Sequence, residues 1–405
     1  MSHRDPAFLK AIPKTDLHVH LDGSLRIPTL IELAETAGVE LPARDEAGLR
    51  RLVFKDSYAS LEEYLQGFAL TTAVMQTREA LHRISYELMM DNAAEGVRYI
   101  EVRFAPQLLI SDRLSFRQVM QAVDDGLRQA RDELNAGCGE DEPPYEYGII
   151  ACAMRFFTRD FSPYYRDFWQ VHQFSTPKEI IRMAGVELAK AVNRLRRETD
   201  IQVVAFDLAG AEYGYPAADH AEAYGLVHKG FLCKTVHAGE AFGPESIFQA
   251  VTELHADRIG HGLHLFDPDM ITSPDIEDPQ RYVEDLVNYL ADRRITIEVC
   301  LTSNMQTTPA MRDLRNHSLA RMLDHNLSVS FCTDNRLVSN TTVTNELQLA
   351  LDTFDFDAHT LRNCIVYGFK RSFFYHPYTE KRRYVRSVID YYQRIAARYG
   401  VKEQV

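Results

Sequence analysis

The sequence predicts a (β/α)8 TIM barrel, with extra helices inserted after the first strand and at the C-terminus. Three observations lead there. Short β-rich runs alternate with longer stretches of helical periodicity, the pattern of a parallel sheet wrapped by helices. Eight such runs can be placed in order along the chain. The length, 405 residues, suits one such barrel with insertions.

The first strand is Asp16 to Leu21. The stretch from Pro28 to Val74 that follows is helical and too long for a simple connection, so it is expected to lie over the barrel mouth. Thr77 to Glu95 carries apolar residues at three- and four-residue spacing and reads as a helix. It leads into the second strand, Val97 to Phe104 (VRYIEVRF). Ser115 to Asn135 has the same periodicity and precedes the third, Tyr147 to Arg155 (YGIIACAMR). Lys178 to Arg197 precedes the fourth, Gln202 to Leu208 (QVVAFDL). The third and fourth are near-continuous apolar runs, as strands buried on both faces should be. Cys233 to His237 is the fifth and Arg258 to His261 a short sixth. Thr296 to Leu301 and Ser328 to Thr333 complete the set. Val343 to Leu351, Ala358 to Tyr375 and Glu380 to Tyr399 continue as helices.

Two segments read as loops. Ala136 to Pro144 (AGCGEDEPP) precedes a strand and should sit at the bottom of the barrel. Phe266 to Pro279 (FDPDMITSPDIEDP) follows one and should sit near the catalytic rim. Neither an internal repeat nor a separating linker is evident, so residues 1–405 are expected to form a single hydrolase barrel domain.

The net charge of -13 argues against a nucleic-acid backbone as partner, because phosphates need a basic footprint. Six scattered cysteines show no C-x-x-C pair, and buried free thiols in a reducing compartment are expected. Met1 to Lys10 has no apolar core of a secretory signal, and no apolar run is long enough to span a membrane. A cytoplasmic protein is expected.

Four motifs carry chemistry. In His18-Val19-His20, residues two apart on a strand share a side, so both imidazoles should face the barrel interior. Two converging imidazoles are half of a tetrahedral zinc site. In Thr235-Val-His-Ala-Gly-Glu240 an apolar strand ends in an imidazole followed by a carboxylate, where barrel enzymes keep catalytic groups. In Arg258-Ile-Gly-His-Gly-Leu263 a histidine stands between two glycines, odd for packing and reasonable at a reacting centre. In Ser330-Phe-Cys-Thr-Asp334-Asn335 an apolar strand ends in a carboxylate. Taken singly, each has a bland reading as a core histidine, solvated loop or helix cap. Together they place three histidines and a carboxylate at strand C-termini around one barrel, a plausible divalent-metal site.

The motifs PKTDLHVHLDGSL, EGVRYIEVRFAP, VVAFDLAGAE, VHAGE, RIGHG, LTSN and the terminal TD resemble the adenosine deaminase family of the amidohydrolase superfamily, over about Pro13 to Phe373. The resemblance implies one Zn2+ per chain, held by His18, His20, His237 and Asp334. It implies that Glu240 protonates purine N1 and that His261 is the base and electrostatic partner of the attacking water. It also places Asp22 at the sugar, the Gly210 backbone N–H at purine N3, and an apolar flap from Leu61 to Phe68 with Tyr64 and Phe68 over the nucleoside. The implied partner is a small-molecule purine nucleoside; monomer or homo-oligomer is left open.

The fourth strand ends without the lysine that bridges two metals in many amidohydrolases, so one metal is expected. The family usually has a second acid after the aspartate of the last strand, facing purine N7. Here Asn335 stands there, and an amide donates to N7 without needing a proton. Arg336, unusual beside a metal site, is read as a structural salt bridge at the rim, with contact to an anionic substrate group as the alternative. His82, His172, His220, His325 and His359 are expected at the surface. Besides adenosine and 2′-deoxyadenosine, the sequence admits another 6-aminopurine derivative such as aminodeoxyfutalosine, or a non-catalytic metal-binding barrel.

Overall fold

A computed structural model describes residues 2–402 except 60, 309 and 312. Eight parallel strands pair in sequence order: β1 Lys14–His20, β2 Val97–Phe104, β3 Glu146–Met154, β4 Val203–Ala209, β5 Cys233–Ala238, β6 Arg258–His261, β7 Thr296–Val299 and β8 Ser328–Phe331. The barrel closes just beyond β8. There the His20 amide donates to the Asp334 carbonyl at 2.7 Å and the Asp334 amide to the His18 carbonyl at 2.8 Å. The strands are buried on both faces, which is why their sequences lack polar alternation.

One irregularity positions the site. Asp16 pairs with Ile100 and Val19 with Val102, so β1 carries one extra residue there. The bulge breaks the pleat. Asp16 is thereby free to accept from Thr333 (Oγ1 at 2.6 Å), while His18 and His20 both turn to the barrel axis.

The outer helices form for local reasons. Helix Phe116–Ala136 starts at a Ser115–Gln118 capping box and buries Val119, Met120, Val123, Leu127 and Ala130, one face at helical spacing. Helix Pro177–Glu198 repeats the device with Thr176 and Glu179 and buries Ile180, Ala184, Leu188 and Val192. The insert after β1 folds into helices Ile27–Ala37, Glu46–Leu52 and Leu61–Val74. After β8 come helices Val343–Thr353, Ala358–Arg371 and Tyr378–Arg398. The last returns to the barrel bottom, where Tyr384 donates to the Arg98 carbonyl at the start of β2.

Both expected loops lie as read. Arg98 pairs with Glu142 in the 136–144 segment at the bottom. Met270 packs against Gly243, and the Thr272 amide donates to Glu245, both after β5 at the rim. Two strands end two residues short of expectation, while the C-terminal ends of the others fall within one residue of it. β7 stops at Val299 and β8 at Phe331, and LTSN opens a helix, Leu301–Thr307. A continuous buried apolar run does not separate strand from helix by periodicity, so VCL read as more strand. Among the described residues, no helix is long and apolar enough to cross a membrane.

Candidate active site

The strand ends bring His18, His20, His237 and Asp334 together, with ligand atoms all within 4.8 Å of one another. Individual spacings are 3.1 Å for His20 Nε2 to His237 Nε2, 3.3 Å for His18 Nε2 to Asp334 Oδ1, and 3.5 Å for His20 Nε2 to Asp334 Oδ1. Ligands bound to one tetrahedral zinc at their usual bond lengths stand about 3.3 Å apart.

The hydrogen-bond roles of these atoms decide what fits between them. His18 Nδ1 donates to Glu298 at 2.9 Å and His237 Nδ1 to Asp207 at 3.0 Å. Each Nε2 is therefore left as a lone pair. His18 Nε2 is buried with no donor facing it. His18 Nε2, His237 Nε2 and Asp334 Oδ1 thus meet as acceptors, an arrangement that a cation makes favourable. Burial holds the pKa of His20 well below the ordinary imidazole value, which favours the neutral ligand form. Ser303 donates to the other Asp334 oxygen at 2.6 Å, leaving Oδ1 for the centre.

A buried charged ladder fixes the imidazoles from below. Arg103 on β2 joins Asp207 at 3.1 Å and Glu298 at 2.8 Å, the two carboxylates that orient His237 and His18. Arg258 on β6 reaches Glu298 at 2.6 Å and pairs also with Glu101. Such partners set ring orientation and ligand basicity.

Across the cluster, His261 Nε2 lies 3.7 Å from Glu240 Oε2. Burial, reinforced by the Asp334 charge, pushes the Glu240 carboxyl up to about 8. Burial drives the His261 imidazole well below its usual pKa. Its tautomer follows from a chain of hydrogen bonds. The Leu319 amide can only donate, and it does so to His317 Nδ1 at 3.0 Å. His317 Nε2 then donates to Asn304 Oδ1 and the Asn304 amide to His261 Nδ1, both at 3.1 Å. His261 consequently presents an N–H at Nε2 toward the cluster. Both His261 and Asp334 hold left-handed backbone, φ 67° and 58°, an uncommon state for non-glycine residues that collects at functional sites.

Glu212 anchors the turn that carries Glu240. Its carboxyl oxygens accept from the backbone of Gly239, Glu240, Ala241 and Phe242 at 2.7–3.1 Å and from Ser246 Oγ at 2.5 Å. Asp22 is buried beside His20, and burial with Asp334 nearby pushes its pKa up to about 7. Gly210 follows β4 directly, with φ 96°. Tyr64 and Phe68 project from the helix Leu61–Val74, their rings 6.2 Å apart. The Asn335 amide donates to the Tyr64 hydroxyl at 2.7 Å, which also meets Ser339 at 2.9 Å; Asn335 Oδ1 is buried without a partner.

The adenosine deaminase family model matches residues 13–161 and 176–391. The chain belongs to the adenosine deaminase family. It is similar to an adenosine deaminase of Vibrio atlanticus, 35% identical over 85% of this chain and 88% of that one. It is similar also to a probable adenosine deaminase of Dictyostelium discoideum, 36% identical over 90% of this chain but only 41% of that longer protein. A solved amidohydrolase from Burkhoderia ambifaria with bound Zn shares the fold, with a TM-score of 0.77 at 19% identity over 99% of this chain and 96% of that one. As a member of this family the chain is a hydrolase acting on a C–N bond, a deaminase, and its family is metal-dependent.

Sequence reasoning missed Asp207, Glu298, Arg103, Glu212 and the Asn304–His317 chain. A signal existed for the first three: charged residues inside otherwise apolar strands. None existed for the last, which depends on the fold of the 301–319 segment. Arg336 pairs with Glu95 and donates to Asn92 at 3.2 Å, so its guanidinium is engaged structurally as read. His220 corrects the surface expectation, being 2% exposed. Its polar type in a loop pattern gave no hint that helix Pro177–Glu198 covers it through Gly185.

Proposed function

We propose that this protein hydrolyses adenosine and 2′-deoxyadenosine to the 6-oxo nucleosides and ammonia, using one Zn2+ per chain held by His18, His20, His237 and Asp334. The observation that carries this is the convergence of four ligand atoms, with the outer atoms of His18, His237 and Asp334 already committed to carboxylates and a hydroxyl. The zinc-bound structure of the same fold and the deaminases at about one-third identity support it. When bound, the ion would supply ionised water at neutral pH, by lowering the pKa of that water to about 7.

The chain's own residues would do the rest. A carboxyl that keeps its proton near neutral pH, as Glu240 does, can donate it to purine N1 and make C6 electrophilic. His261, with its N–H at Nε2 and its neutral ring, would hold the attacking oxygen in place and stabilise charge developing there. Asp22 would take the sugar, the Gly210 N–H purine N3, and the second Asn335 amide hydrogen purine N7. Tyr64 and Phe68 would exclude water above the ring. Residues 1–405 would act as one catalytic unit. The six free cysteines suit a cytosolic setting.

Steady-state kinetics on adenosine against other 6-aminopurines, with metal content measured on the same sample, test this reading. Preference for a large or charged 5′ substituent would overturn the substrate; turnover by fully metal-stripped protein would overturn the mechanism.

A further inference from the structure

A cavity of about 740 Å³ opens at the C-terminal ends of β3 and β4. It stands beside the candidate metal cluster: none of the four converging ligands lines it, nor do Glu240 and His261. Its walls are the segments 155–160 and 214–220 and the helices Pro163–Val171 and Pro177–Glu198. The family match stops at residue 161 and resumes at 176. The segment 162–175, which brings Trp169 into the wall, therefore lies outside the matched positions.

Three nitrogens on lining side chains are buried without a hydrogen-bond partner: Arg155 Nε, Trp169 Nε1 and His220 Nδ1. Arg155 and His220 are 1% and 2% exposed. The other Arg155 nitrogens meet only carbonyls, Tyr215 at 2.6 Å and His237 at 2.5 Å. No carboxylate meets this buried guanidinium directly, and Glu212 and Asp207 act on it only from beyond ion-pair distance, which leaves its burial costly. Arg159, Lys178 and Arg182 add positive charge to the lining, against Asp160 and Asp219. Lys178–Asp219 and Arg182–Glu222 are exposed pairs that bind weakly and can exchange partners. A net positive cavity in a chain of charge -13 is a local exception. The walls are also flat and aromatic, with Phe156 and Tyr215 stacked at 4.8 Å.

We propose that this cavity is a second binding site that takes a planar aromatic anion. Arg155 Nε and Trp169 Nε1 are donors without acceptors, and they call for a ligand that brings acceptors. The cationic excess calls for a negative one, and Phe156, Tyr215 and Trp169 offer faces for a ring. The site does not depend on the reading of the catalytic centre.

Trp169 is the chain's only tryptophan, so its emission reports on this wall. Metal-loaded protein is titrated with guanosine 5′-monophosphate, which has no 6-amino group, and with 4-hydroxybenzoate. These arms separate a phosphate from a carboxylate source. Guanosine is the uncharged control, and calorimetry checks the optical signal. The expected result is a saturable change with at least one anion, and binding of guanosine weaker by about tenfold or more. The double variant Arg159→Glu with Arg182→Glu should weaken the anion by about tenfold or more, with adenosine turnover in its absence unchanged. Arg159 is exposed, so Arg159→Glu alone serves if the double variant misfolds. Absence of saturation by either anion at millimolar concentration overturns the proposal. So does equal binding of guanosine, or a signal that survives charge reversal undiminished.

Discussion

Replacing Glu240 with Gln should abolish turnover and yet stabilise the metal-stripped protein, by an amount that grows with pH. In the fold, burial and then Asp334 raise the carboxyl from 4.5 to about 8. In the unfolded chain it returns to the ordinary value. Below that value both states hold the proton and the group contributes no difference. As pH rises from 4.5 to about 8, the unfolded chain loses the proton while the native state keeps it, so native stability falls. Each pH unit in that window costs about 1.4 kcal/mol, which gives ~3 kcal/mol at neutral pH and approaches 5 kcal/mol near pH 8 before levelling off. Gln has the same shape and no proton to lose. Urea unfolding of chelator-treated parent and variant checks this, at about pH 5 and about pH 8 and constant ionic strength. The variant's advantage should be under ~1 kcal/mol at the lower pH and several kcal/mol at the higher. An advantage that does not change with pH, or a variant less stable than the parent at pH 8, refutes the claim that burial keeps this proton in place.

Three further outcomes follow from the same geometry. Chelation should stop turnover and lower the melting temperature, and zinc at a thousandfold excess over its Kd should return ~4 kcal/mol of stability; an unchanged melting curve counts against a resident ion. Asn304→Leu should release the His261 tautomer and reduce kcat by about 10- to 100-fold with KM nearly constant, whereas a loss confined to KM would contradict a positioning role. In Gly23→Ala the new Cβ would fall 1.8 Å from Asn335 Oδ1. Asn335 must then swing away and its bond to Tyr64 must break, at a cost of about 1–3 kcal/mol seen in thermal unfolding, with KM raised.

Much of the barrel was readable from its alternation of apolar runs with helical stretches, and the runs of β1, β5 and β8 lead into a polar residue that an apolar setting cannot bury for free. His18, His237 and Asp334 announce themselves in this way. β6, only four residues long, was readable because its histidine is flanked by glycines. The end of β7 was not, since Val299-Cys300-Leu301 is equally apolar as strand or as helix. Long-range partners escaped for a different reason. Glu298 lies 280 residues from His18 in the chain, and nothing in TIEVC says which histidine it will meet. His220 was misread because a helix of unknown docking covers it. Asn335 gave its residue type but not its bond to Tyr64, which exists only once the insert folds back over the mouth.

The seam between first and last strands has a consequence for how the protein is made. Two of the candidate ligands emerge near residue 20 during synthesis, and the fourth only at residue 334. A growing chain cannot offer the full set until about four-fifths of it has left the ribosome. Loading of the ion would then come after barrel closure, and any chain cut short before β8 would present a histidine pair with no carboxylate to retain it.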